Sequence, residues 1–430
     1  MQPVNIGFVG VGNVGGGALR ILADNAAQLE ARLGFPLRVA AMAGLEFPAN
    51  LPDLPGALRT TNWREVVDHP DVEIVAELVG GVTVARQVIE AALEQGKAVV
   101  TANKELIAKA GPELWARAQA AGVPMAMEAS VCGGIPIHAV LREGIAGDRI
   151  EALFGILNGT SNYILTQIEK RGAAFDDVLK EAQRLGYAEA DPTADVEGYD
   201  ARSKLALLAA LAFGSTVDPA AIHTEGIRRI SPVDFAYAHQ LNCTIKLLCS
   251  ARRAENGLFL SVRPSLISRE RLIAGVSGVY NGVWVKGRYG DDTFYSGRGA
   301  GPLPTGVAVV SDMMRLSRML RHSQPPRPSP FGFEKTAPVD PLDPSQQRQP
   351  WFLRFLITDR PGIIAALATI LAKHEISVDA VLQLPGADKT SLPFVITVES
   401  APEGAVRAAL AEMNELPFMV APPLALPIEE

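Results

Sequence analysis

Gly10-Val11-Gly12-Asn13-Val14-Gly15 decides the fold of the N-terminal part of the chain, because this GxGxxG stretch joins an apolar run, Val4–Val9, to a helical pattern over Val14–Leu33. In such a loop the first glycine allows a tight turn, the second lets the backbone approach a pyrophosphate, and the third lets the helix pack on the strand. The helix N-terminus then faces the phosphates. A GxGxxG motif between a strand and a helix predicts a dinucleotide site. The predicted cofactor-binding residues are Phe8, Gly10, Gly12, Asn13, Val14 and Gly15.

The rest of the first 130 residues alternates between apolar strands and amphipathic helices. This alternation predicts a parallel sheet covered on both faces, and therefore a Rossmann-type domain over residues 1–130. The predicted strands are Leu37–Ala43, Val72–Leu78, Ala98–Thr101 and Pro124–Met127, and the predicted helices are Val84–Glu94 and Glu113–Ala121. The second strand ends in Met42-Ala43-Gly44, without the acid that would bind an NAD ribose. This favours NADP, but no arginine for its 2′-phosphate is evident, so NAD stays open.

Composition excludes several classes of protein. The net charge of −7 argues against a nucleic-acid or anionic-membrane binder. The longest apolar run, Leu205–Phe213, is far shorter than the roughly 20 residues of a membrane span, and the N-terminus lacks the basic region of a signal peptide. Three cysteines (Cys132, Cys243 and Cys249) are too few for a disulfide framework or a zinc site. We therefore expect a cytoplasmic protein.

The chain beyond residue 130 divides at a proline-rich stretch. Residues 131–322 contain helices followed by strands, which predicts an α+β domain with a last helix, Thr305–Leu320, that returns to the Rossmann domain. Residues 323–350 are rich in proline and predict an extended linker. Residues 351–430 carry ten acidic and five basic residues, so we expect a separate small acidic domain there.

Two lysines and a group of acids are candidates for chemistry. Lys104 follows a strand of the parallel sheet, at the edge where ligands bind in such folds. Asp200 and Lys204 share one face of a predicted helix, Asp195–Phe213, and that face continues into apolar residues, which indicates an enclosed, polarised site. A lysine there can donate a proton to a carbonyl oxygen. Glu189 and Asp195 could hold an ammonium group.

The stretch Glu128-Ala129-Ser130-Val131-Cys132-Gly133-Gly134-Ile135-Pro136 leaves alternatives open. Its paired glycines free the backbone, so that carbonyl groups could point at an ion or ligand. Cys132 could be the nucleophile of an acylating dehydrogenase with His138 as its base, although a small buried thiol is the simpler interpretation. A third possibility is a sensor without catalytic activity, which the cluster of acids and Lys204 argues against.

Six segments together resemble homoserine dehydrogenase, in order and over nearly all of residues 1–320. They are GxGxxG, TANK (101–104), EASVCGGIPI (128–137), GILNGTSNYIL (155–165), LGYAEADPTADVEGYDARSK (185–204) and GRGAGPLPT (297–305). Residues 354–383 in turn resemble the start of an ACT domain, a βαββαβ module that senses amino acids. The implied fold class is α/β, with a Rossmann-type parallel sheet, an α+β substrate and dimerisation domain, and a C-terminal ACT domain at 351–430.

The resemblance implies an activity and residue roles. The family interconverts L-aspartate 4-semialdehyde and L-homoserine with NADP or NAD, in threonine, methionine and isoleucine biosynthesis. Lys204 would donate the proton, and Lys104 would lie near cofactor and substrate. The other roles implied are amino-acid binding by Glu189 and Asp200 with support from Asp195, nicotinamide contacts by Gly186 and Gly301, and a structural sodium or potassium ion held by Glu128 and the main chain of Val131, Gly133 and Ile135. That ion would explain the glycines of the loop.

The resemblance also implies regulation and assembly. We expect the ACT domain to sense L-threonine, with the carboxylate received at the turn and helix N-terminus of Asp359-Arg360-Pro361-Gly362. The alternative is a tail that only dimerises. Because a linker suggests few contacts, truncation after about His322 should leave an active enzyme. A homodimer or homotetramer is implied.

Overall fold

The computed structural model describes residues 2–322, 328–384 and 388–429. Its first elements are β1 (Val4–Val9), α1 (Asn13–Asp24), α2 (Ala26–Leu33), β2 (Leu37–Ala43), β3 (Leu58–Thr60), α3 (Trp63–Val67), β4 (Ile74–Glu77), α4 (Thr83–Glu94), β5 (Ala98–Thr101), α5 (Lys104–Ala121) and β6 (Met125–Ala126). The middle of the chain forms α6 (Ile137–Ala139), β7 (Ile150–Ile156), α7 (Gly159–Arg171), α8 (Phe175–Arg184), α9 (Thr193–Val196), α10 (Tyr199–Phe213), β8 (Ser215–Thr216), β9 (His223–Thr224), α11 (Pro232–Gln240), β10 (Cys243–Ala254), β11 (Gly257–Ser268), β12 (Tyr280–Gly287), β13 (Asp292–Arg298) and α12 (Pro302–His322). The C-terminal part forms β14 (Ala337–Pro338), β15 (Arg348–Ile357), α13 (Ile363–Lys373), β16 (Val378–Leu382), β17 (Leu392–Pro402), α14 (Glu403–Asn414) and β18 (Met419–Glu429).

The chain forms two compact units. The first contains Met1–Glu151, Ser203–Pro219 and Val285–Val339, and the second contains Ala152–Arg202, Ala220–Trp284 and Asp340–Glu430. The boundaries that the sequence predicts at 1–130, 131–322, 323–350 and 351–430 stay a prediction beside this division. No helix within the described part of the chain is long and apolar enough to cross a membrane.

The first unit is built on a parallel sheet with the strand order β3-β2-β1-β4-β5-β6. The predicted Rossmann-type domain is confirmed, because the strands pair in parallel and the crossover elements cover the sheet. The core contains β1, α1 and α12. α12 approaches α1 so closely that a Cβ on Gly17 would lie 2.0 Å from the carbonyl oxygen of Pro302. The last helix before the linker therefore packs against α1 and contributes to the core of the first unit.

The second unit combines antiparallel strands with a C-terminal βαββαβ arrangement. β7, β10 and β11 are neighbours, and β11 continues through a short parallel contact with β18 into the order β18-β15-β17-β16. The elements β15, α13, β16, β17, α14 and β18 give the predicted ACT topology, and they enclose their own apolar core. The predicted fold class is confirmed in both units.

Several element boundaries differ from the predictions for local reasons. The predicted helix Val14–Leu33 is interrupted at Asn25, and the predicted helix Asp195–Phe213 is interrupted at Gly198, whose φ of 82° lies in the left-handed region. The helix predicted at Glu113 begins at Lys104 instead, because Asn103 caps it by accepting a hydrogen bond from Leu106 N at 3.1 Å. Pro112 therefore lies within a longer helix.

The expectation that few contacts join the tail to the preceding chain is wrong. Within the second unit, β11 meets α14 through a buried ion pair between Arg263 and Glu403, at 2.7 Å. β15 meets α11 through Arg354 and Asp234, at 2.8 Å, and Asp234 is fully buried. The proline-rich stretch also has structure of its own, since β14 pairs with β8; residues 323–327 of the predicted linker lie outside the described residues. The tail is packed as part of the second unit.

Candidate functional site

The glycine loop has the geometry that its sequence predicts. Gly10 has a φ of 103°, and a Cβ there would lie 2.6 Å from the backbone of Leu78. A Cβ on Gly15 would lie 2.1 Å from the Gly10 carbonyl oxygen, so α1 can pack on β1 only with glycine at that position. No atom lies within 4 Å of the Cβ position of Gly12, which also has no side-chain cap over the N-terminus of α1. The loop leaves an open cradle at the helix N-terminus, and this fits a dinucleotide phosphate.

The remaining residues predicted for the cofactor contribute in different ways. Phe8 is fully buried in the core of the first unit, so only its main chain can face a ligand. Asn13 and Val14 are the first residues of α1. Gly301, in the first unit, has a φ of 126°, and Gly186, in the second unit, has a φ of 75°. A nicotinamide contact by either glycine stays a prediction.

Lys104 stands on a buried polar network at the carboxyl ends of β4 and β5. Thr101 donates to Glu77 at 2.6 Å, and the N–H of Asn103 donates to Thr101 at 3.0 Å. Burial raises the pKa of Glu77, although hydrogen bonds from Thr101 and neighbouring groups oppose this. The network fixes the N-terminus of α5, whose first residue is the half-buried Lys104. Sequence reasoning missed Glu77, because its link to Thr101 appears only when two parallel strands are placed in register.

Asn158 joins two of the predicted acids. Its side-chain N–H groups donate to Asp195 at 2.6 Å and to Asp200 at 2.8 Å, while its oxygen accepts from the N–H of Ser161 at 2.8 Å. Asn158 is buried, so it holds both carboxylates at fixed positions. Glu189, in contrast, is exposed and takes no part in these hydrogen bonds. Asn158 lies in the GILNGTSNYIL segment, but nothing in that segment shows that the residue binds acids about 40 positions away.

Lys204 lies on α10, one turn beyond Asp200, and both side chains are half-buried. The helix from Leu205 to Phe213 is buried on all sides rather than along one stripe. The prediction that one face of this helix is apolar is therefore too narrow, because every face is buried. A half-buried lysine at the start of a buried helix is less hydrated than an exposed one, so its charge acts more strongly on a neighbouring group.

The loop Glu128–Ile135 is held in place by its own first residue. The Glu128 carboxylate accepts from the N–H groups of His138 at 2.8 Å and Ala139 at 2.9 Å. Burial and the nearby Asp312 raise the pKa of Glu128 to about 7. Val131, Gly133 and Ile135 are buried as well.

The glycines of this loop have a packing reason that the sequence did not reveal. A Cβ on Gly133 would lie 2.5 Å from Oγ1 of Thr305, and one on Gly134 would lie 2.6 Å from the Arg298 carbonyl oxygen. Close packing within the first unit therefore requires these glycines regardless of any ion, and the ion itself stays a prediction.

Cys132 and His138 do not form a nucleophile and base. Both are buried, and within the described residues neither ring nitrogen of His138 has a hydrogen-bond partner. Burial, with the charges of Arg142 and Arg315, lowers the pKa of His138 to about 3. An imidazole that does not contact the thiol cannot activate it, so the acylating alternative lacks its base.

A residue near the end of β2 was also missed. β3 pairs with β2 so that Arg59 lies beside Met42, and Arg59 is exposed. The short strand β3 has no clear signal in the sequence, and the arginine that appeared to be absent from this region stands on it. Its position next to the carboxyl end of β2 is suited to a 2′-phosphate.

A phosphate cradle on a parallel sheet, two carboxylates held by one asparagine, and a C-terminal ACT fold are the features of a dinucleotide-dependent oxidoreductase that carries an ACT domain. Comparisons with known proteins identify the family. Sequence profiles match the homoserine dehydrogenase NAD-binding domain at residues 10–128, homoserine dehydrogenase at residues 136–314, and the ACT domain at residues 351–418. The chain belongs to the homoserine dehydrogenase family.

Individual relatives agree over the whole length of the chain. It is 41% identical to the homoserine dehydrogenase of Neisseria gonorrhoeae, over 97% of this chain and 96% of that protein. It is 39% identical to that of Pseudomonas aeruginosa, over 100% of both chains. A crystal structure of a homoserine dehydrogenase from Thiobacillus denitrificans matches with a TM-score of 0.90 and 43% identity, over 100% of this chain and 98% of that one. The protein is an oxidoreductase of this family with a nicotinamide-dinucleotide-binding domain.

Proposed function

We propose that the protein interconverts L-homoserine and L-aspartate 4-semialdehyde with NADP or NAD, in threonine, methionine and isoleucine biosynthesis. The observation that carries this proposal is the pair Asp195 and Asp200, held by Asn158, with Lys204 one turn further along the helix. Fixed carboxylates suit the ammonium group of an amino acid, and a lysine suits the oxygen that changes charge.

Each side chain has a role in this proposal. A bound nicotinamide dinucleotide supplies or accepts the hydride at the carbon. Lys204 stabilises the negative charge that develops on the aldehyde oxygen, and then donates its proton to that oxygen. Asp200 binds the substrate ammonium group with Glu189, and Asp195 supports Asp200 through Asn158. Lys104 adds a second positive charge near cofactor and substrate.

The activity is tested by homoserine-dependent reduction of NADP and of NAD, compared side by side. We expect turnover with at least one dinucleotide, and a higher kcat/KM with NADP because Arg59 is exposed at the end of the sheet and no acid ends β2. Arg59→Gln should therefore lower kcat/KM with NADP more than with NAD. Arg32→Gln, at another exposed arginine of the first unit, is the matched control and should keep the wild-type preference. Absence of homoserine-dependent turnover with either dinucleotide would contradict the proposed reaction.

We further propose a monovalent cation, sodium or potassium, at Glu128 and the carbonyl groups of Val131, Gly133 and Ile135. A carboxylate and carbonyl oxygens are the ligands that such hard cations prefer, and the residues fit: each Glu128 oxygen accepts one N–H, which leaves lone pairs for an ion. A positive charge there would also offset the buried carboxylates of Glu128 and Asp312.

Exchange of sodium for a bulky organic cation should lower the thermal stability of the protein. An ion that binds only the folded state at 100 times its Kd contributes about 2.7 kcal/mol, so the melting temperature should fall by several degrees. Scanning calorimetry in sodium, potassium and tetramethylammonium chloride at equal ionic strength measures this. Glu128→Gln is the control variant and should melt at one temperature in all three salts. An equal melting temperature of the wild-type protein in all three salts would contradict the proposed ion site.

The ACT domain supports a proposal of feedback regulation by L-threonine, with assembly into a homodimer or homotetramer and a location in the cytoplasm. The module is present at residues 351–418 and has a complete βαββαβ core. None of the three cysteines, all of which are described, is in a disulfide, which is consistent with a reducing compartment. Inhibition of the full chain by millimolar threonine tests the regulation, and light scattering measures the assembly state.

A further inference from the structure

A cavity of about 300 Å³ lies inside the second unit, where the ACT fold meets the strands before it. We name it the junction cavity. Three charged side chains line it: Arg229 and Glu225 from the segment Glu225–Arg229, and Arg407 from α14. Its apolar wall includes Trp351 and Leu410. The volume is at the lower end of the range for small-molecule sites, and the wall is apolar with a few polar groups, as such sites are.

The charges around the junction cavity do not suit a metal ion. His223, Glu225 and Glu403 come close enough together to suggest one. The two oxygens of Glu403, however, are bound by Arg263 at 2.7 Å and by Arg407 at 2.6 Å. Arg407 also pairs with Glu225. A dication would have to displace or face these guanidinium groups, so the cluster is an ion-pair network.

Arg229 carries a positive charge that is not part of this ion-pair network. Its Nη2 donates to the carbonyl oxygens of Pro422, at 3.0 Å, and Pro423, at 2.8 Å. In the described ranges 2–322, 328–384 and 388–429, its Nε and Nη1 groups have no hydrogen-bond partner and no carboxylate pairs with it. A guanidinium held by two carbonyl groups, with donors remaining, is suited to receive a carboxylate from a ligand.

The same segment, Glu225–Arg229, contacts the end of α9, the short helix that carries Asp195. The N–H of Ile227 donates to the carbonyl oxygen of Val196 at 2.9 Å, and Arg228 pairs with Glu197 at 2.5 Å. A Cβ on Gly226 would lie 2.6 Å from the Val196 carbonyl oxygen, so the backbones of the two segments are in direct contact. Val196 follows Asp195, which Asn158 binds. The segment therefore lines the junction cavity on one side and contacts the end of α9 on the other.

We propose that the junction cavity binds a small α-amino acid, with its carboxylate on Arg229, its ammonium group on Oε2 of Glu225, the oxygen that neither Arg407 nor His223 binds, and its side chain against Leu410 and Trp351. Binding changes the position of the segment Glu225–Arg229. Because this segment contacts the end of α9, Asp195 shifts with it, and the affinity for substrate changes. The inference rests on the proposed regulation and deepens it, since it places the effector away from the turn Asp359–Gly362. An effector acts in this way only if it binds the two arrangements of the segment with different affinity.

Calorimetric titration of the full chain with each common L-amino acid, at up to millimolar concentration, tests the site. Two variants act on the cavity by different means: Arg229→Gln removes the carboxylate donor, and Leu410→Trp fills the space. Each should weaken binding by about tenfold or more, the loss expected for a charge-assisted hydrogen bond or a blocked pocket. Both should keep the wild-type kcat and KM without effector. Arg360→Gln, in the turn Asp359–Gly362, is the matched control and should bind as the wild type does.

The outcomes separate this inference from the proposed regulation. If Arg360→Gln loses binding while Arg229→Gln and Leu410→Trp keep it, the junction cavity is wrong and the regulation stands. Equal loss in all three variants also overturns the location. If no amino acid binds the wild-type chain, regulation and cavity both fail.

A further variant tests the route to the active site. Gly226→Ala adds a methyl group against Val196 and Glu197. It should leave amino-acid binding within about twofold of wild type but reduce the inhibition at least about fivefold, the lower end of common coupling strengths. Unchanged inhibition in this variant would contradict the route through Glu225–Arg229.

Discussion

Replacement of Lys204 by methionine should lower kcat by about 10²- to 10⁴-fold, the range that a positioned acid or base contributes. Methionine is unbranched and apolar, so it fills the half-buried start of α10 without the charge. The oxygen of the aldehyde then develops negative charge with no ammonium group to stabilise it or to donate a proton. Steady-state oxidation of homoserine at saturating dinucleotide measures the loss in kcat.

Dinucleotide binding separates a catalytic role of Lys204 from a structural one. The glycine loop does not involve Lys204, so the Kd for dinucleotide should stay within about twofold of wild type, as fluorescence titration would show. Lys180→Met, at an exposed position on α8, is the matched control and should have normal kcat. A Lys204→Met enzyme with more than about a tenth of the wild-type kcat would overturn the role of proton donor.

Local rules were sufficient to predict the Rossmann sheet and the ACT fold. The loop Gly10–Gly15 joins a strand directly to a helix, and its Gly15 meets the Gly10 carbonyl oxygen within the loop itself, although Gly10 also meets the backbone of Leu78, which is distant in sequence. Likewise the alternation of apolar strands with helices determines a parallel sheet without any knowledge of distant residues. These features depend on residues close in sequence, and for this reason the pattern alone indicates them.

The polar contacts that hold the site could not be predicted in this way. Asn158 reaches Asp200 across 42 positions, and Thr101 reaches Glu77 across 24. Any asparagine or threonine in such segments has the same local pattern whether or not it binds an acid. The breaks at Asn25 and Gly198 were missed because the helical pattern was extended through them, although Gly198 takes a left-handed φ of 82° there.

The ion pair between Arg263 and Glu403 spans 140 positions and was missed for the same reason. Replacement of Glu403 by alanine should lower the free energy of unfolding of the second unit by about 3–5 kcal/mol. The side chain of Glu403 is fully buried and that of Arg263 is 3% exposed, over the ring of Trp351 at 5.2 Å. Removal of the carboxylate leaves the Arg263 charge buried without its partner. Urea unfolding followed by fluorescence measures the change.

Two further variants identify the buried charge as the cause. Glu412→Ala removes a surface carboxylate on the same helix, α14, and should cost at most about 1 kcal/mol because water screens its pair with Lys373. Arg263→Met combined with Glu403→Leu removes both charges and should recover most of the stability, because an apolar pair replaces a buried ion pair at little cost. If the double variant is as unstable as Glu403→Ala, the loss comes from packing instead.

A stable Glu403→Ala protein would restore the expectation of a separable tail. Otherwise truncation after His322 leaves the buried Arg263 without Glu403 and the buried Asp234 without Arg354, and we expect the shortened chain to aggregate rather than to retain activity.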